Sequence, residues 1–519
     1  MNEIKQLVSG IPDGKKIEAL GSLYFKGLTN YYDAFGDDEI DLDELVVKNF
    51  KSLIQRDTII SDIILFASDK IKSITNYPVD PSLSDKNSIK KHLIDYFEIT
   101  FEEDITEPRT IEEESNCQIK LHDFQDRIRR KVINLIFNDE KRFLIHMPTG
   151  SGKTRTAAEI LIDFIRLSSS RALLNDKLKI LWIAQSSELC FQAYETVKWL
   201  FEQKGTQDIK IGHFYDSQTL PEGIENEPAI IFCGIQQLLL HYKEPIWQQI
   251  KNDNYLVVVD EAHRSVAKQW VQALDNFVSN SSVYLLGLTA TPGIGLSDDD
   301  RSYSLSTYYH SNKISITDEK YTEIPNPISH LVEREFLAKI NRIDIDSEIV
   351  SPDNATETDG EFKFTKKTLK YLSTQATRNS SILNIIKNNH QDNKILVFTC
   401  GLEHNRILKT LLTEAGIVSE TVDQGTKNRN SIINRFKDGN LNILLNFGVL
   451  TTGFDAPKTN ICIIARPISS IVMYSQMVGR ILRGPKNTGN YENTLYTIKD
   501  NLGHGGYDDL FNSFNDFYK

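Results

Sequence analysis

Three groups of residues have the types and spacing for chemistry. Lys153 and Thr154 follow Met147-Pro148-Thr149-Gly150-Ser151-Gly152. Two glycines let consecutive backbone N–H groups turn inward around an anion with no Cβ in the way. A lysine placed there reaches the β- and γ-phosphates of a nucleotide, and the adjacent hydroxyl ligates Mg²⁺. Thr149, Gly150, Ser151 and Gly152 are therefore the candidate cradle, with Lys153 and Thr154 as its charged and metal-binding ends. The second group is Asp260-Glu261-Ala262-His263. Asp260 would hold Mg²⁺ through its water shell, and Glu261 would orient and deprotonate an attacking water. An acidic pair can also simply cap a helix, but here it shares a chain with a complete phosphate loop. The third group is Gln476, Arg480 and Arg483, whose offsets of four and three put them on one face of a helix. Phosphate sites of this kind use an arginine to stabilise charge in the transition state. Upstream of the loop, Phe124 could stack on adenine while Gln125 hydrogen-bonds it.

These groups need rigid carriers. Phe143-Leu144-Ile145 is an apolar run too short for a helix, and after the loop Ala157, Ile160, Leu161 and Phe164 recur at helical spacing. Strand, glycine loop and helix are the context a phosphate-binding loop requires, and the helix N-terminus faces the same anion. Further apolar runs at 179–184, 229–233, 255–259 and 283–288 read as buried parallel strands. The first two end in Ser186-Ser187-Glu188 and Gly234-Ile235-Gln236, small and polar stretches suited to a nucleic-acid backbone. A second strand set at 395–398, 443–446 and 461–464 leads to the arginine helix. The expected architecture is α/β, with two tandem parallel sheets flanked by helices. A mainly helical segment precedes them.

The 519 residues carry a net charge of −12. Its distribution matters more than its sum. Residues 1–112 hold 13 Lys+Arg against 22 Asp+Glu, a net of −9, leaving −3 for the rest. The acidic segment reads as a protein-interaction domain whose removal leaves the remainder working, while the remainder can still present a basic cleft. Five scattered cysteines include no CxxC pair, so neither a zinc site nor a disulfide framework is expected. No apolar run reaches the roughly 18 residues of a membrane span, and the N-terminus lacks an apolar signal core; a cytoplasmic protein is expected. The domain division read from the sequence is 1–112, 113–345, a linker at 346–370, and 371–519.

GSGKT, DEAH, LTATP, TTGFDAP and QMVGRILR follow one another in that order. The set resembles a superfamily 2 helicase or translocase motor of the DEAH type over roughly residues 115–500. The run ARPISSIVMYSQMVGRILRGP resembles the branch of type I and type III restriction motor subunits and XPB-like DNA translocases. The resemblance implies two RecA-like domains facing across an ATP site, with a nucleic-acid strand crossing their top. It implies that Gly453 and Asp455 contact the nucleotide from the second domain, and that Arg480 and Arg483 are arginine fingers. His263, Thr289, Thr291 and Gln476 would couple hydrolysis to movement. Ser186, Gly234, Gln236, Thr399, Thr451 and Thr452 fall where such motors touch the backbone. The chain departs from the pattern at Met147, where a first glycine is usual, at His122-Asp123 before Phe124, and at Gly293 after LTATP.

The function expected is an ATP-dependent nucleic-acid motor using ATP and Mg²⁺. DNA, especially duplex, is the favoured partner. A phage-defence or restriction-like system would suit the branch. No nuclease motif is present, so cutting would fall to a protein partner, such as a nuclease held through residues 1–112. An RNA helicase or a recombination and repair helicase is the alternative within the class. A nucleotide-switched scaffold is the alternative outside it, disfavoured by Glu261 and the two arginines.

Overall fold

The computed structural model describes residues 2–21, 26, 29–30, 40–54, 57–77, 85–99, 120–170, 178–205, 208–278, 283–290, 300–350, 356–358, 361–450 and 456–501. Thr291, Thr451, Thr452, Gly453 and Asp455 lie outside them.

The first sheet has seven strands, all parallel, in the order β3-β4-β2-β5-β6-β1-β7. They are β1 (Arg142–His146), β2 (Lys179–Ala184), β3 (Lys210–Phe214), β4 (Ala229–Gly234), β5 (Asn254–Asp260), β6 (Tyr284–Thr289) and β7 (Lys313–Ile314). The central strands are apolar throughout because helices cover both faces. Phe143, Ile145, Ile180, Trp182 and Phe232 face one layer, and Leu144, Leu181, Ile183 and Ile231 face the other. The phosphate loop and the acidic pair sit at the C-terminal ends of β1 and β5, where such sheets bind ligands.

The second sheet is also parallel, in the order β12-β13-β11-β14-β15-β8. Its strands are β8 (Lys339–Val350), β11 (Ile395–Phe398), β12 (Glu420–Val422), β13 (Ile443–Asn446), β14 (Ile461–Ile464) and β15 (Glu492–Asn501). The expected boundary at 345/346 runs through β8, which pairs with β15 along most of its length. The second domain therefore starts near Lys339. β8 was missed because Lys339-Ile340-Asn341-Arg342-Ile343-Asp344 sets isolated isoleucines among polar residues instead of forming an apolar run, as an edge strand can. The expected linker contains a hairpin of β9 (Thr356–Thr358) and β10 (Glu361–Lys363), then the Lys366–Ser373 helix.

The N-terminal helices Asn2–Val8, Asp13–Leu20, Leu42–Leu53, Asp57–Thr75 and Lys86–Tyr96 confirm the helical reading. Their apolar residues share one cluster with the second domain. Val8, Phe50, Ile60, Ile63 and Leu93 belong with Ile382, Ile386, Leu408 and Leu412, and with Val397, Leu445 and Ile463 of the sheet. Polar ties reinforce the seam: Lys48 Nζ lies 2.6 Å from Glu414, and Asn30 donates to the Thr374 carbonyl at 3.3 Å. These helices share a core with the Ala376–Asn389 and Leu402–Glu414 helices and with the strands beneath them. Among the described residues no helix is long and apolar enough to cross a membrane.

Candidate nucleotide site between two sheets

A cavity of about 390 Å³ opens where the two sheets meet. Thr149, Gly150, Gly152, Lys153, Thr154, Asp260 and Glu261 line it from the first domain, and Gly479, Arg480 and Arg483 from the second. The loop is shaped as its residue types require. Gly150 and Gly152 take φ of 80° and 85°, and a Cβ on Gly152 would run into the Gln125 amide. Ser151 does not line the cavity; its hydroxyl donates to the Pro148 carbonyl at 2.6 Å and braces the turn. Lys153 opens the Lys153–Ser170 helix, and its ammonium donates to the carbonyls of Met147 (3.2 Å) and Pro148 (3.4 Å). Burial lowers its pKa, Glu261 and Asp260 raise it, and Arg480 lowers it further.

Asp260 ends β5 and is buried. Burial, then the neighbouring Glu261 charge, pushes its carboxyl well above the usual range, with Lys153 opposing. Glu261 holds the left-handed conformation, φ 53° and ψ 49°, unusual for a residue with a side chain. Its N–H donates to Asp260 Oδ1 at 2.9 Å, and its carboxylate lies 3.4 Å from His263 Nδ1. That same nitrogen is 3.3 Å from Thr289 Oγ1. Burial holds His263 below its usual pKa, so it is neutral near pH 7. The donors fit Mg²⁺. Among the described residues no cluster of three His, Cys, Asp or Glu could cage a metal. Mg²⁺ usually takes one or two protein oxygens and fills its shell with phosphates and water. Thr154 and Asp260 supply that number, and an acidic pair with Lys153 as its neighbouring cation can accept a second positive charge.

The arginines reach the cavity by a different route from the one spacing implied. The Ile471–Val478 helix ends before them, Gly479–Ile481 continues as a 3₁₀ turn, and Arg483 forms a bridge with Leu337. Gln476, Arg480 and Arg483 thus do not share one α-helical face, and buried Gln476 lies off the nucleotide cavity. Gly479 explains how close the domains come: a Cβ there would collide with the Thr149 side chain.

Phe124 corrects the adenine expectation. Its ring is fully buried, 5.1 Å from Phe336 and edge-on to it, and it does not line the cavity. Gln125 does, but its amide donates to Ser151 O (2.9 Å) and accepts from His122 N (3.0 Å), bracing the loop. His122 and Asn487, joined across the domains at 3.1 Å, line the cavity instead. Nothing in their sequence surroundings marked them.

The proposed backbone contacts divide. Ser186 caps the Ser187–Lys204 helix, Gly234 precedes the Ile235–His241 helix, and Gln236 is exposed. All three stand at strand ends on the side of the sheet that carries the phosphate loop. Thr399 is buried, and its hydroxyl is bonded to Asn405 Oδ1 at 2.7 Å, so it offers nothing to a ligand here. Glu188 pairs across the domains with Arg429 at 3.0 Å.

Two family models match the chain: "Type III restriction enzyme, res subunit" over residues 118–294 and "Helicase conserved C-terminal domain" over 377–485. The chain belongs to the superfamily 2 helicases and is related to restriction motor subunits. IRC3 of Saccharomyces cerevisiae, named as an ATP-dependent helicase, is 28% identical over 378 residues, 70% of this chain and 49% of that protein. The EcoAI type I restriction endonuclease subunit of Escherichia coli is 25% identical over 402 residues, 71% of this chain and 44% of that one. A fragment of an HsdR-type restriction subunit from Vibrio vulnificus shares the fold with a TM-score of 0.50 and 22% identity, over 72% of this chain and 63% of that one. The chain spans about half the length of the curated relatives it matches.

Proposed function

We propose that this protein is a nucleic-acid-dependent ATPase that moves along DNA, duplex in preference, hydrolysing ATP to ADP and phosphate. The observation that carries the reading is the single cavity holding Lys153, Asp260 and Glu261 from one domain and Arg480 and Arg483 from the other. Lys153 grips the β- and γ-phosphates. Thr154 and Asp260 would hold Mg²⁺, whose charge would offset that of the phosphates. Glu261 orients and deprotonates the attacking water, and the arginines stabilise charge on the phosphoryl group in flight. Since neither domain holds the full set, hydrolysis requires closure. Nucleic acid that favours closure then favours turnover. Gly453 and Asp455 complete the nucleotide contact from the second domain, and Thr291, Thr451 and Thr452 belong to coupling and backbone contact. DNA is favoured because the family match and the EcoAI relative are restriction subunits. By the same analogy the pathway is a restriction-like or phage-defence system in the cytoplasm, with a nuclease as partner. The partner surface lies on the outer side of the N-terminal helices, where Leu65 and Phe66 are exposed.

ATPase rates with duplex DNA, single-stranded DNA and RNA in parallel test the reading. Duplex DNA should stimulate most. Strongest stimulation by RNA would make the protein an RNA helicase. Nucleotide binding without turnover on any of the three would leave only a nucleotide-switched scaffold.

A further inference from the structure

His146 is the last residue of β1, immediately before the phosphate loop, and the reaction described above gives it no part. It pairs in register with Thr289, the last residue of β6. Its Nε2 lies 3.2 Å from the carbonyl oxygen of Ala290, one residue beyond that strand. A carbonyl only accepts, so Nε2 carries the proton and donates. Nδ1 is buried and has no partner among the described residues. The bond to Ala290 is thus the ring's polar tie there. Burial, first, and the Lys313 charge hold the imidazole down at about 4, so the ring is neutral in working conditions.

Both ends of this bond lead to the cavity. On one side, Met147 follows His146, and its carbonyl accepts from the Lys153 ammonium. On the other, Thr289 precedes Ala290, and its hydroxyl meets His263, which faces Glu261. The Met147 N–H also donates to Thr289 O at 3.1 Å, a second rung between the same two strand ends. The segment at 289–290 therefore touches the phosphate loop through His146 and the water-orienting carboxylate through His263. It lies at the end of the sheet where Ser186 and Gly234 stand.

We infer that His146 is a positioning residue that links the phosphate loop to the Thr289-Ala290 segment, so that a shift of that segment on nucleic-acid binding is felt at the nucleotide. This rests on the motor reading. A leucine at 146 fills the space but cannot donate. A glutamine places an N–H close to where Nε2 stands.

The test uses the full chain and saturating duplex DNA. The ratio of stimulated to basal ATPase should fall about tenfold in His146→Leu, within the usual range of coupling between sites. His146→Gln should restore most of it, while the KM for ATP moves little in either. An unchanged ratio in His146→Leu overturns the inference. So does an equal loss in both variants, which would mean that shape alone matters at this position. If His146→Leu does not fold, His146→Asn takes its place; its shorter side chain falls short of Ala290 and should lose the ratio likewise, and a wild-type ratio there overturns the inference. Absence of DNA stimulation in the wild type would count against the motor reading itself, and so is distinct from failure of this inference.

Discussion

The two sheets share one topology class and differ in how they are finished. The first is covered by helices taken from its own stretch of chain, and it carries Lys153, Thr154, Asp260 and Glu261 just beyond the ends of two strands, β1 and β5, with β6 between them. The second contributes Gly479, Arg480, Arg483 and Asn487 to the cavity, and the helices on one of its faces share their core with helices more than two hundred residues earlier in sequence. The half with the phosphate loop is self-contained, while the half across the cavity shares its core with distant helices. The chemistry is thus split unevenly, and the smaller contribution sits on the domain with the more distant support.

That contrast can be broken in four places. The largest effect should come from deleting residues 1–99. Charge alone led to the expectation that this segment could be removed without harm. The shared core reverses it: Ile382, Ile386, Leu408 and Leu412 would lose apolar cover, at roughly 25 cal/mol per Å² exposed. The truncated protein should aggregate or melt in two steps, with the first domain melting last, as calorimetry would show. A single wild-type-like transition would show that the second sheet stands alone. Next, Arg483→Ala should cut stimulated turnover on the order of 10³-fold or more while ATP affinity changes modestly. Arg483→Lys should not rescue it, because a point charge cannot reproduce the planar fork. Near-wild-type rates with full stimulation would return the arginine to a surface role. In the first domain, Glu261→Gln should bind ATP and Mg²⁺ but lose on the order of 10²–10⁴ in turnover. Retention of more than a tenth of the rate would exclude it as the base.

The smallest effect concerns acid. His146 titrates at about 4 in the fold against 6.5 unfolded. Below pH 6.5 the unfolded chain takes this proton and the folded chain does not, so stability falls as pH drops from 6.5 toward 4. The contribution is at most about 3 kcal/mol. Melting temperatures should decline less steeply over that window in His146→Gln than in wild type; identical slopes would mean that the ring is not held neutral.

Most of the candidate nucleotide site could be read from sequence because its residues sit in loops bounded by unbroken apolar strands, a pattern that fixes their address. Edge strands β3, β7 and β8 escaped that reading because they are short or broken up by polar residues. So did β15, which lies beside β8. Phe124 was misassigned because an aromatic beside a glutamine looks the same whether its ring faces a ligand or Phe336. The arginine helix was extended too far because spacing cannot register that Gly479 turns the chain into a tighter coil. His122 and Asn487 meet only in the fold. The packing of the N-terminal helices was illegible for a general reason: an amphipathic stripe announces that something must cover it, never which distant surface does.

Gly479 and the N-terminal seam together set what moves as one piece. The order of the chain and the order of the machine are different. The described helices of its first hundred residues share a core with the second domain, and in sequence the phosphate-loop domain is threaded between them. A dye pair placed on the Leu42–Leu53 helix and on the Lys153–Ser170 helix lies wholly within the first half of the sequence, yet its separation would report the opening and closing of the cleft. A pair joining the same helix to the Leu402–Glu414 helix, residues far apart along the chain, would stay silent throughout the cycle.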